Sequence, residues 1–229
     1  MLLEIPFRTV RTPRGAVGFH PRRLRFIPFN VSASMATSPA FLSALDEHRR
    51  VMERLADQAA FIERIGRDVA ERVGRGGRVF WMGNGGSAAQ SLHFAAELVG
   101  RFKRERAALP SLAFSADPSV VTAIGNDYGF DQLFARQVRA WCRTGDVLIG
   151  LSTSGRSPNI LAAFEEAASR NVYTVGMTGR TGGDLIDCVD ACLMIPSDDT
   201  ARIQEAHLLV GHYWCDVVEQ AVSDAVQTP

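Results

Sequence analysis

Between residues 38 and 77 the apolar positions return on one helical face, at Leu45, Met52, Leu55, Ala59, Ile62, Val69 and Val73. Ser38 stands as a candidate N-cap, Pro39 occupies the first helical position, and Gly74, Gly76 and Gly77 end the pattern. This predicts one helix of about 35 residues, or two with a break, longer than most globular helices. A stripe of that length needs a partner, either the domain's own sheet or another subunit.

From Arg78 the pattern changes to short, nearly continuous apolar runs alternating with helical stretches. Strands are predicted at RVFWMG, SLAFS, DVLIGLS, VYTVGMT and ACLMIPS, beginning at Arg78, Ser111, Asp146, Val172 and Ala191. Between them lie predicted helices over 87–101, around 118–124, 130–141 and about 158–170, and a last helix runs from about 200 to 226. Apolar strands alternating with helices predict an α/β protein, a three-layer α-β-α sandwich with a five-stranded parallel sheet covered on both faces.

Composition changes this picture little. In 229 residues, 46% hydrophobic and 22% charged, the chain has the balance of a soluble globular protein with room for one core. Its formal net charge is zero, so no basic field directs it to nucleic acid. No apolar run reaches the roughly 20 residues of a membrane span. The four cysteines, Cys142, Cys188, Cys192 and Cys215, form no CxxC pair and suit a reducing, cytoplasmic setting. Residues 1–35 are Arg-rich, lack the apolar core of a secretory signal, and are expected to be a disordered basic extension, or upstream sequence if synthesis begins at Met35. Residues 36–229 are then the folded domain.

Three strands run into turns able to face an anion: GNGGSAAQ over 83–90, STSGRSPN over 152–159 and TGRTGG over 178–183. Glycine lets the backbone turn tightly near a ligand, and the helix that follows points free N–H groups at it. The second turn adds the hydroxyls of Ser152, Thr153, Ser154 and Ser157, a cradle for a phosphate that needs no lysine. No GK[ST] is present, and Ala88 stands where a dinucleotide fingerprint wants its third glycine, so a monophosphate is favoured over a nucleotide.

Two helices carry polar groups among apolar ones. His93 and Glu97, four apart, project from one face. The last helix holds Gln204, His207 and His212 among Ile203, Leu208, Leu209, Val210, Trp214, Val217 and Val218. Imidazole, carboxylate and amide oxygen suit a divalent metal such as zinc. Gln204 and His212 are about 12 Å apart along a straight helix, so one copy would struggle to bring both to one ion. Gln204 with His207 is one way out, and Gln204 and His212 from different chains is another; His207 also suits a core histidine bonded to a backbone carbonyl.

Taken in order, GNGGS, HFAAELVGRF, GNDYGF, GDVLIGLSTSGRSPNI and RIQEAHLLVGH resemble the phosphoheptose isomerases of the sugar-isomerase (SIS) family over roughly residues 40–220. The resemblance implies the SIS fold, a homotetramer with intersubunit sites, and one zinc ion per subunit site. It places zinc ligands at His93, Glu97, Gln204 and His212. It places substrate contacts at Asn84, Gly85, Gly86, Glu97, Asn126, Asp127, Ser152, Thr153, Ser154, Ser157 and Gln204. It implies ketose–aldose isomerisation of sedoheptulose 7-phosphate for heptose biosynthesis, and on this reading Glu97 removes the proton and His212 serves as the acid. Two departures touch the site walls: Gln90 and Ala201 stand where the family commonly carries acids. The competing expectation is a non-catalytic SIS-family module that binds a sugar phosphate or acts in replication initiation; an amino-sugar phosphate isomerase or etherase leaves RIQEAHLLVGH unexplained.

Overall fold

A computed structural model describes the backbone of residues 39–227 and side chains through 223. The predicted N-cap Ser38 and the predicted extension over 1–35 lie outside these residues. The first long helix is two: α1 (Pro39–Leu55) and α2 (Ala59–Gly74), broken by a 3-10 turn at Ala56–Gln58. Five strands follow, β1 (Val79–Gly83), β2 (Ser111–Ala113), β3 (Val147–Ser152), β4 (Tyr173–Thr178) and β5 (Ala191–Met194). Between and after them come α3 (Gly86–Val99), α4 (Pro118–Tyr128), α5 (Leu133–Trp141), α6 (Pro158–Ala168) and α7 (Thr200–Gln227).

All strand pairs are parallel, in the order β2-β1-β3-β4-β5. The side-chain alternation of a strand then assigns the two layers. Val79 and Trp81 of β1, with Val147, Ile149 and Leu151 of β3, face the layer of α1, α2, α3 and α7. Phe80, Met82 and Leu148 face α5 and α6, where Phe134, Val138, Ile160 and Phe164 meet them. The predicted three-layer sandwich and parallel sheet are therefore present. No helix among the described residues is long and apolar enough to cross a membrane.

Sheet order also locates the site. The chain leaves β1 toward β2 on one side and returns to β3 on the other, so the β1/β3 boundary is the switch point where open α/β sheets bind ligands. GNGGS follows β1 and STSGRS follows β3. At the opposite end of the same two strands, the buried Asp146 carboxylate accepts from the Arg78 backbone N–H at 2.9 Å, the Arg78 guanidinium at 2.6 and 3.1 Å, and the Arg143 N–H at 2.9 Å. Burial pushes the Asp146 carboxyl up, but the Arg78 and Arg143 donors outweigh it and hold the group below its ordinary value.

Candidate active site

At the switch point the two turns are joined. Asn84 and Asn159 exchange amide hydrogen bonds at 2.9 Å in each direction. Asn159 was visible in the sequence as the end of STSGRSPN but carries no hydroxyl or charge, and only the pairing shows its role: it ties the first turn of α6 to the glycine turn. Ser152 is buried at the end of β3, with its hydroxyl 3.1 Å from that of Ser157. The Ser154 hydroxyl accepts the Arg156 N–H at 3.2 Å. Ser157 precedes α6 without capping it through its side chain, and Pro158 follows, so the positive end of α6 faces the turn.

The third glycine-rich turn packs against the second. Gly155 adopts φ 65°, and a Cβ there would lie 2.0 Å from the Gly182 carbonyl oxygen. The Gly179 N–H donates to the Thr153 carbonyl at 3.1 Å, and the Leu185 N–H to that of Gly155 at 3.0 Å. Residues 179–185 thus form a wall that shapes the serine turn. Gly183 is there because two backbones touch, a Cβ meeting the Ser154 and Gly155 carbonyls at 2.5 and 2.6 Å, and Gly182 because its φ is 73°.

A second cluster lies between α3 and α7. His93 Nε2 is 2.7 Å from His212 Nε2 and 3.3 Å from Glu97 Oε1. One donor atom from each of His93, Glu97 and His212 falls within 4.8 Å of the others. Phe94 and Gly211, the neighbours of the two histidines, explain the approach: a Cβ at Gly211 would sit 2.2 Å from the Phe94 ring. Glycine at 211 lets α7 close onto α3. Burial, followed by the neighbouring His93, holds the His212 imidazole below its ordinary pKa against the opposing pull of Glu97. A neutral ring is the form that ligates a metal.

Two imidazoles and a carboxylate are a zinc donor set. Four-coordinate zinc with ligands at about 2.0–2.1 Å wants donors about 3.3 Å apart, and the observed separations, 2.7 and 3.3 Å with all three atoms within 4.8 Å, bracket that value. The residues fit the ion. In the same chain, Gln204 is elsewhere: its amide lies against Gly86, where a Cβ would come 2.6 Å from Nε2, at the start of α3 and seven residues before His93. Gln90 donates to the Gln204 carbonyl at 2.7 Å, and its own Oε1 is buried without a partner. Asn126 and Asp127, in the exposed last turn of α4, bond each other at 2.7 Å, and among the described residues no hydrogen bond joins them to the serine turn or to the histidines.

His207 is not part of either cluster, which removes the pairing of Gln204 with His207. It is fully buried, with Nε2 3.3 Å from the Thr178 carbonyl. Burial pushes its pKa down to about 4, against a smaller upward pull from that carbonyl. A ring near the ordinary histidine value of about 6.5 when unfolded takes up its proton first in the unfolded state. The stability it confers is therefore complete above about pH 6.5 and is lost as pH falls toward 4. Urea unfolding at pH 7.5 and pH 5.0 should show a loss of about 2 kcal/mol from this group. His207→Gln should lack that part of the slope.

Comparison with known proteins agrees with the geometry. A family model described as SIS domain matches residues 45–179. A phosphoheptose isomerase from Roseiflexus sp. is 49% identical over 180 residues, 79% of this chain and 90% of that one. One from Burkholderia pseudomallei is 47% identical over 183 residues, 79% and 93% of the two chains. Among solved structures, a phosphoheptose isomerase from Francisella tularensis superposes with TM-score 0.77 at 36% identity, covering 79% of this chain and 97% of its own. That of Neisseria gonorrhoeae gives 0.74 at 37%, with the same coverage. Close sequence, a shared fold and a glycine-serine switch point beside paired histidines lead to one assignment: this chain belongs to the phosphoheptose isomerases of the SIS domain family.

Proposed function

We propose that the protein interconverts sedoheptulose 7-phosphate and D-glycero-D-manno-heptose 7-phosphate, supplying heptose biosynthesis in the cytoplasm. The observation that carries this reading is the convergence of His93, Glu97 and His212 on one point, in a chain 49% identical to a named phosphoheptose isomerase. A binding module has no need of a carboxylate and two imidazoles held together at a helix contact.

The reaction moves a proton between C1 and C2 of the sugar and a second proton between the two oxygens. The hydroxyls of Ser152, Thr153, Ser154 and Ser157 and the start of α6 bind the phosphate, and Asn84, Gly85 and Gly86 form the facing wall. From Gly86 to His93, α3 runs seven residues, about 10 Å, of the same order as an extended seven-carbon chain. That length suits a sugar held by its phosphate at one end and turned over at the other. Glu97 accepts the carbon-bound proton and returns it to the neighbouring carbon, while His212 passes a proton between the substrate oxygens. His93, Glu97 and His212 would hold zinc, which when bound polarises the carbonyl and stabilises the enediolate charge. Asn126 and Asp127 keep the role of substrate contacts in this reading.

We further propose a homotetramer with sites at subunit contacts, in which Gln204 of a neighbouring copy completes the donor set. Two observations support it: Gln204 in its own chain lies against Gly86, and Leu209 and Tyr213, beside His212, are exposed together with Phe41, Leu42 and Leu45 of α1. Light scattering should return about four times the mass of one chain; a monomer would remove both the assembly and the shared site.

Incubating the purified protein with sedoheptulose 7-phosphate tests the function. The aldoheptose 7-phosphate should appear, the rate should fall at least tenfold after prolonged chelation, and zinc should restore it. Binding of the sugar phosphate without turnover, whatever the metal, would point instead to the non-catalytic module.

A further inference from the structure

We propose that Glu219 is a positioning residue for the candidate active site: it holds the backbone of residues 102–104 so that the Phe102 ring lies flat against the His212 imidazole. This rests on the isomerase reading above.

Glu219 lies two turns beyond His212 on α7 and is fully buried. Its Oε1 accepts the Phe102 N–H at 3.0 Å, and its Oε2 accepts those of Lys103 and Arg104 at 2.8 Å each. Three successive N–H groups on one carboxylate form an anion nest, filled here from within the protein. Arg106, itself buried, brings Nε to 3.2 Å of Glu219 Oε1. One turn nearer the site, Asp216 takes the Lys103 ammonium at 2.8 Å and the Arg104 guanidinium at 2.5 Å. Positions 212, 216 and 219 share a face of α7, so the same face that carries the histidine carries the clamp.

The clamp reaches both site helices. Phe102 stacks on His212 with ring centroids 5.3 Å apart and planes 14° from parallel. The stack limits rotation of the imidazole and keeps Nε2 aimed at His93, 2.7 Å away. On the other side Arg106 donates to the carbonyls of Glu97 at 2.8 Å and Gly100 at 2.9 Å, and so fixes the end of α3 that carries Glu97. Stability alone does not call for this arrangement, since well-packed apolar residues generally serve as well as a buried ion pair. What the charges supply is a fixed loop geometry beside the reacting groups.

The test compares Glu219→Gln, Phe102→Leu, their combination and Phe102→Trp. The first readout is the His212 Cε1–H resonance in the metal-free protein at one pH, which senses the Phe102 ring. The second is kcat and KM for the zinc-loaded enzyme at a temperature where circular dichroism shows every variant folded. Glu219→Gln should move the His212 resonance in the direction that Phe102→Leu moves it. Each should lower kcat about ten- to a hundredfold with KM within twofold, and the double variant should be no worse than the poorer single. Phe102→Trp should recover most of the rate lost in Phe102→Leu.

A Glu219→Gln protein that melts earlier but keeps its His212 resonance and kcat would show a merely structural residue and overturn the proposal. Should Glu219→Gln fail to fold, the Phe102 pair decides: full kcat in Phe102→Leu overturns it. If the wild type turns over no sedoheptulose 7-phosphate, the isomerase reading fails, and the resonance shift alone decides whether Glu219 positions the ring.

Discussion

Glu97→Gln should lower isomerisation of sedoheptulose 7-phosphate by about 10²–10⁴-fold, the contribution usual for a placed general base. The amide keeps the size of the side chain and one oxygen able to face His93, now 3.3 Å from the carboxylate. It cannot accept a proton from carbon. Glu97 is half-buried at the α3–α7 contact, so the variant should fold and melt within a few degrees of the wild type. Its loss should appear in kcat, because the phosphate end of the substrate is held at the serine turn. Single-turnover measurement with product detection checks this, and full activity in Glu97→Gln would end its assignment as base. Zinc content should be measured alongside, since the same carboxylate is a proposed ligand and a rate lost with the metal would be a different result from a rate lost without it.

The second large effect is expected from a methyl group. Gly211→Ala improves helix propensity by about 1 kcal/mol, but the new Cβ meets three carbons of the Phe94 ring at 2.2–2.7 Å. Phe94 has nowhere to retreat: it is fully buried and packs on Trp81 at 5.0 Å between centroids. Overpacking of this kind costs about 1–3 kcal/mol. The helices must separate to relieve it, and His212, the next residue, moves away from His93. A displacement near 1 Å at a reacting group lowers the rate about a hundredfold. Gly211→Ala is therefore expected to lower both stability and activity, although residue 211 carries no reacting group. Adding Phe94→Leu should return part of both losses by making room for the methyl. Unchanged denaturation and unchanged kcat in Gly211→Ala would mean that the close helix contact does not set the site.

Much of this architecture could be read along the chain. Strands β1, β3 and β4 are buried along nearly their whole length and flanked by turn residues, so short apolar runs and punctuation agree. The sequence does not fix the break between α1 and α2, because Ala56–Gln58 continues in helical sequence with only a local tightening to 3-10 geometry. The helix following Tyr128 begins as a 3-10 turn at Phe130–Gln132 for the same reason. In the site, hydroxyls and glycines marked the phosphate cradle. Asn159, Phe102 and Glu219 give little signal in the sequence because each is ordinary by type. Glu219 did leave a trace: an acid seven residues after His212, directly following Val217 and Val218, is a residue that must be either solvated or paired.

The sequence alone determined that α7 has polar groups on more than one side, since five residues separate His207 from His212 and rotate them about 140° apart. It could not say which side meets what. Packing decided that: Trp214 bonds the Ile62 carbonyl at 2.9 Å and turns one face to α2, His207 falls under the end of β4, and His212 is left facing α3. Periodicity is local, fixed by the backbone's own rotation per residue. The neighbour across each face is set by contacts between segments 29 to 152 residues apart, and only the closed fold brings those together.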